Sequence, residues 1–135
     1  MTTATSPTLT LDHTPSLRAS GPKVLLHLEG AAMFAAATTW YFHAGGGFPL
    51  FAALILVPDL ALLGYLAGKR VGAIAYNTTH SLVGSLLLLG AGLFLTQPLA
   101  MSIALIWIAH IGVDRAVGYG LKYAGGARST HLQRV

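Results

Sequence analysis

The chain has 135 residues, is 54% hydrophobic and only 9% charged, and contains no cysteine. Soluble domains carry about 25% charged residues, so this inventory excludes a water-covered globule, and the missing thiols exclude disulfides and thiolate metal sites. The formal charge of +4 does not describe a nucleic-acid groove, because the basic residues cluster between or beside apolar runs, as membrane-flanking charge does.

Residues 1–22 are rich in Thr, Ser and Pro, with Asp12 and Arg18 as the only charges. They read as a disordered tail and lack the basic start, apolar run and cleavage site of a signal peptide. Four apolar segments follow, each near the ~20 residues needed to cross a bilayer. They run from Lys23 to His43, from Phe48 to Ala67, from Val71 to Leu95 and from Pro98 to about Tyr119. The breaks between them (residues 44–47, 68–70 and 96–98) are short, which suits antiparallel neighbours. The runs are Leu/Ala-rich, too long for strands and without period-two alternation. The expected fold is therefore all-α: a four-helix transmembrane bundle, up-down-up-down, over residues 23–123. Pro58 inside the second segment predicts a kink beside Asp59. Residues 124–135 form a polar C-terminal tail that can pack back on the bundle.

Orientation follows from the basic residues. The loops after the first and third segments carry no Lys or Arg, whereas Arg18, Lys23, Lys69, Arg70, Arg115, Lys122, Arg128 and Arg134 lie at the other three ends. The positive-inside rule makes that side cytoplasmic, so both termini are expected in the cytoplasm of an inner-membrane protein.

The chain has only four carboxylates, and three of them, Glu29, Asp59 and Asp114, interrupt different apolar segments. Each costs roughly 2.5–3.5 kcal/mol near the centre of a membrane helix, which marks them as functional. The third segment adds Asn77 and His80. Counting ~1.5 Å per residue from the basic markers puts Glu29, Asp59, Asn77, His80, His110 and Asp114 in one slab on the cytoplasmic side of the midplane. Asn77 and His80 are i,i+3 and His110 and Asp114 are i,i+4, so each pair shares a helix face. Glu29 and His27 are i,i+2 and cannot both face inward; Glu29, the deeper, is assigned to the interior and His27 to the interface.

Carboxylates and imidazoles on facing helices are ligands for zinc, iron or manganese, and helix bundles build di-metal sites from such residues. Asp59, His80, His110 and Asp114 are the expected ligands of a divalent transition metal, mononuclear or dinuclear. Glu29, Asn77 and Arg115 are the expected catalytic residues of the layer, Glu29 as general base or a further ligand. A metal-bound water acidified toward neutrality supplies a nucleophile. Three alternatives stand beside this one. Arg115 can pair with Asp59 or Glu29 in a purely structural polar cluster, the carboxylates can serve a proton- or cation-coupled small-molecule transporter, or His80 and His110 can hold a b-type haem.

Pro58-Asp59-Leu60 with Gly64-Tyr65-Leu66-Ala67-Gly68, Tyr76-Asn77 with His80, and Trp107-Ile108-Ala109-His110-Ile111-Gly112 with Asp114-Arg115 form a recognisable set. With Gly118-Tyr119-Gly120-Leu121-Lys122-Tyr123 and Thr130-His131-Leu132 they resemble the DUF4260 family, small bacterial integral membrane proteins named as a domain of unknown function. The resemblance covers about residues 23–135. It implies a four-helix membrane protein, carries no activity, and singles out Lys122 and His131. If the tail packs over the cytoplasmic mouth, His131 can serve the site as ligand, acid or base. The expected function is a membrane-embedded, metal-dependent enzyme acting on an apolar or lipid-like small molecule by hydrolysis or oxidation, with the bilayer, the substrate and a second copy of the chain as partners and no nucleic acid.

Overall fold

Helix α1 begins at Ser20, inside the stretch assigned to the tail, and runs to His43. The structure, a computed structural model, describes residues 20–122; most of the two expected tails, and His131 with them, lie outside the described residues. After a glycine turn, α2 spans Phe48–Leu54 with a proline in its first turn, where the missing N–H costs nothing. It then gives way to a 3₁₀ helix, Val57–Ala67, in which Pro58 stands near the start. There the Asp59 N–H donates to the Leu56 carbonyl three residues back, at 3.1 Å. The kink expected at Pro58 is thus a change of helix type, sustained for 11 residues where runs beyond 3–4 are uncommon.

Gly68 turns the chain into α3, Lys69–His80, and α4, Leu82–Phe94, follows after one extended residue, Ser81, whose hydroxyl accepts from the Val83 N–H at 3.3 Å. Helix α5 spans Pro98–Ala116. The four expected segments are helical and the described residues contain no strand element, but the second and third are each split in two. Two stretches, Phe48–Ala67 and Pro98–Ala116, are long and apolar enough to cross a bilayer.

Helix α5 is the axis of the fold. Ala104, Leu105, Ile106, Ala109, His110 and Ile111 are all buried, with α1 and α4 packed on this helix and the 3₁₀ helix packed on α3. The outward faces stay apolar: Leu60, Leu63 and Leu66 on the 3₁₀ helix and Val83, Leu86 and Leu87 on α4 are exposed. Helices α1 and α5 touch backbone to backbone at Gly30 and Gly112. A Cβ on Gly30 would lie 2.5 Å from the Ala116 nitrogen, and one on Gly112 would lie 2.6 Å from the Phe34 nitrogen. Only small residues permit so close an approach of two helix backbones.

Helix α5 ends in a Schellman turn. The Tyr119 N–H reaches the Asp114 carbonyl at 2.8 Å and the Gly118 N–H the Arg115 carbonyl at 3.1 Å, with Gly118 at φ +96°. A side chain there is strained, and its Cβ would meet the His27 ring at 3.1 Å. Gly118→Ala is expected to lower stability by about 1–2 kcal/mol, measurable as an earlier thermal unfolding of the detergent-solubilised protein. The turn matters because it sends the chain from Gly120 to Lys122 back across the end of α3.

Candidate metal centre

The breaks in the second and third segments determine what meets in the interior. Asp59 lies in the first turn of the 3₁₀ helix, His80 is the last residue of α3, and His110 and Asp114 stand one turn apart on α5. One donor atom from each lies within 4.8 Å of every other. His80 Nε2 is 3.4 Å from Asp59 Oδ1 and 3.4 Å from Asp114 Oδ2. His110 Nε2 is 3.6 Å from Asp59 Oδ1 and 3.8 Å from Asp114 Oδ2, and the two Nε2 atoms are 3.0 Å apart. A tetrahedral ion with bonds of ~2.0–2.1 Å has donor–donor edges of about 3.3–3.4 Å, which these five distances bracket. The group could hold a metal ion. The same 3.0 Å separation excludes a haem iron between the imidazoles, since two opposed ~2.0 Å bonds need about 4 Å.

Two donors are oriented by neighbours. His80 Nδ1 lies 3.0 Å from the Tyr76 carbonyl and 2.9 Å from Thr79 Oγ1. A ring N–H donated to a carbonyl fixes the tautomer that turns the Nε2 lone pair toward the other three donors. The Tyr76 hydroxyl donates to Asp114 Oδ2 at 3.1 Å, and its ring stacks on His80 with centroids 3.7 Å apart. Tyr76 thus steadies two ligands at once. Losing such an outer contact typically weakens metal binding about 10–100-fold, and Tyr76→Phe is expected to do so in a Zn²⁺ titration. His110 is held by burial, and its Nδ1 has no hydrogen-bond partner among the described residues.

Residues 120–122 close one side. The Asn77 side chain donates to the Lys122 carbonyl at 2.8 Å and accepts from the Lys122 N–H at 2.7 Å. The Lys122 ammonium sits 3.7 Å from the centre of the Tyr76 ring. Burial holds this lysine below its usual range, against the opposing pull of the Asp114 and Asp59 carboxylates. A space of about 10 Å³ lies beneath, bounded by Tyr76, His80, Asp114, Arg115 and Tyr119, about enough for one water.

The remaining expected site residues are placed differently. Asn77 does not join the four donors; it clamps the returning chain. Arg115 forms no ion pair with Asp59 or Glu29 among the described residues and instead borders the water-sized space. Glu29 is exposed and His27 faces inward, its Nδ1 2.7 Å from the Ala116 carbonyl, the reverse of the expected choice. The reason is Gly30: with its backbone pressed on α5, residue 27, three positions back, shares that face, while residue 29 is turned ~100° away. Tyr76 and Thr79 were not among the expected site residues. Tyr76 had a readable signal, since it lies four residues before His80 on the same helix.

On the other side of Thr79 a cavity of about 250 Å³ opens between Leu54, Val57, Pro58, Ile106 and Trp107. It lies where the two segment breaks meet α5. The Thr79 hydroxyl, 3.3 Å from the Pro58 carbonyl and 2.9 Å from His80, separates this cavity from the ligands.

Fold and site together define an all-α protein whose Asp–His–His–Asp group, with both histidines buried, could hold a metal ion. Over residues 23–135 the chain matches the family described as "Domain of unknown function (DUF4260)", and it belongs to that family. No curated protein and no solved structure matches it.

Proposed function

We propose that the chain is a membrane-embedded, metal-dependent enzyme acting on an apolar or lipid-like small molecule by hydrolysis or oxidation. The observation that carries this reading is the convergence of four donors at tetrahedral spacing beside a cavity whose lining is almost wholly apolar. In the proposed setting the chain crosses the inner membrane four times, with both termini cytoplasmic. Its apolar exterior supports this, since exposed patches of that extent are rare on soluble monomers. The placement of the basic residues supports that direction. Two carboxylates balance a divalent cation, so the loaded centre is neutral at membrane depth. A zinc, iron or manganese ion there would polarise a substrate oxygen or activate water. Thr79 lies between cavity and ligands, and Arg115 and Tyr119 flank the space from which water can be supplied.

A second reading, a cation-coupled carrier, is favoured by one specific feature: four protein ligands fill a tetrahedron and leave no open position. Metal analysis of the purified protein and of His110→Ala, followed by turnover assays on long-chain esters and by Zn²⁺ flux into proteoliposomes, separates the two. Turnover lost in His110→Ala supports the enzyme. Flux without turnover supports the carrier. A wild-type protein without stoichiometric metal overturns both.

A further inference from the structure

We infer that Asp59 is the exchangeable ligand of the centre: His80, His110 and Asp114 hold the ion, and Asp59 yields its position to a water or substrate oxygen. This rests on the metal reading above and answers the difficulty raised there, because a catalytic site needs three protein ligands and an open position whereas four close it.

Three observations single out Asp59. Its side chain is 38% exposed, against 19% for Asp114, 3% for His80 and 2% for His110, so it alone of the four can leave without abandoning a charge in the interior. It also lacks an orienting contact. Asp114 accepts from Tyr76 and His80 is pinned through Nδ1, but among the described residues no hydrogen bond orients the Asp59 carboxylate, 3.4 and 3.6 Å from the two imidazoles; His110, whose Nδ1 is likewise unpartnered there, is instead fixed by burial. Finally, it stands on the 3₁₀ helix while the other three are on α-helices. Hydrogen-bond geometry in 3₁₀ helices is poorer than in α-helices, so the backbone carrying Asp59 is the more easily shifted. The next helical element before Asp59, α2, ends at Leu54, so the carboxylate rides just beyond a break in the chain. Pro58, its neighbour, borders the apolar cavity, which places the yielding ligand on the side where an apolar substrate would sit.

The test uses Co²⁺, whose visible absorption is intense when four-coordinate and weak when coordination expands. Wild type, Asp59→Ala and Asp114→Ala are titrated with Co²⁺ in detergent, and wild type is then titrated with azide. Asp59→Ala is expected to bind one Co²⁺ within about tenfold of the wild-type affinity, and Asp114→Ala to lose about hundredfold or more. Azide is expected to change the wild-type spectrum by taking the position Asp59 gives up. Equal losses in both variants would overturn the inference and leave the metal reading standing. No Co²⁺ on wild type would overturn the metal reading itself. Should Asp59→Ala fail to fold, the azide titration decides alone: a spectrum unmoved at saturating azide ends the proposal.

Discussion

Replacing His110 with alanine is expected to abolish stoichiometric metal binding. His110 is 2% exposed, one of the largest fully buried side chains of the protein, and its Nε2 faces the other three donors. Without it the ion keeps His80 and Asp114 as fixed ligands and Asp59 as a loose one, which is too few for a stable site. The two carboxylates are also left with a single imidazole between them. A ligand present at 100 times its dissociation constant stabilises a fold by about 2.7 kcal/mol. Wild type in excess Zn²⁺ should therefore unfold later than in chelator, and His110→Ala should unfold at one temperature in both. An equal metal-dependent shift in the variant would show that His110 is not a ligand.

Gly112→Ala is expected to be among the most damaging single-methyl changes in the fold, alongside Gly30→Ala. The new Cβ would lie 2.6 Å from the Phe34 nitrogen, 2.9 Å from its Cα and 3.0 Å from the Gly30 carbonyl oxygen. All three are backbone atoms of α1, so no side-chain rotation relieves the clash and the helices must separate. Overpacking typically costs 1–3 kcal/mol and more where nothing yields, so a loss of about 3 kcal/mol is expected. Gly90→Ala is the matched control, because a Cβ there meets nothing within 4 Å and gains helix propensity of up to about 1 kcal/mol. Equilibrium unfolding in mixed micelles compares the two, and similar stabilities would refute the close α1–α5 contact.

Much of the site was legible because it obeys simple counting. A carboxylate is conspicuous in an apolar run, and the i,i+4 spacing of His110 and Asp114 fixes a shared face before any fold is known. Glu29 was misassigned because depth and orientation are different quantities. Depth can be counted along the chain, but which side of α1 meets α5 is decided by where backbones touch, and Gly30 decides it. The 3₁₀ helix was illegible for another reason. Val57–Ala67 is apolar almost throughout, so its pattern is nearly the same at three residues per turn as at 3.6. The stop at Ser81, by contrast, had a readable signal, since Asn77, Thr78, Thr79, His80 and Ser81 are five polar residues in a row and serine is a favoured N-cap; that stop makes His80 a terminal residue. Asn77 looked like a ligand because its face and depth were right; its hydrogen bonds go to the returning backbone of Lys122, a partner only the Gly118 turn could bring near.

The close approach of the His80 and His110 Nε2 atoms, 3.0 Å apart, has a consequence for how the centre fills. Donors that the fold already holds near ligand spacing have met their ordering cost before any cation arrives. In the proposed reading, a divalent ion would therefore bind without refolding the helices around it.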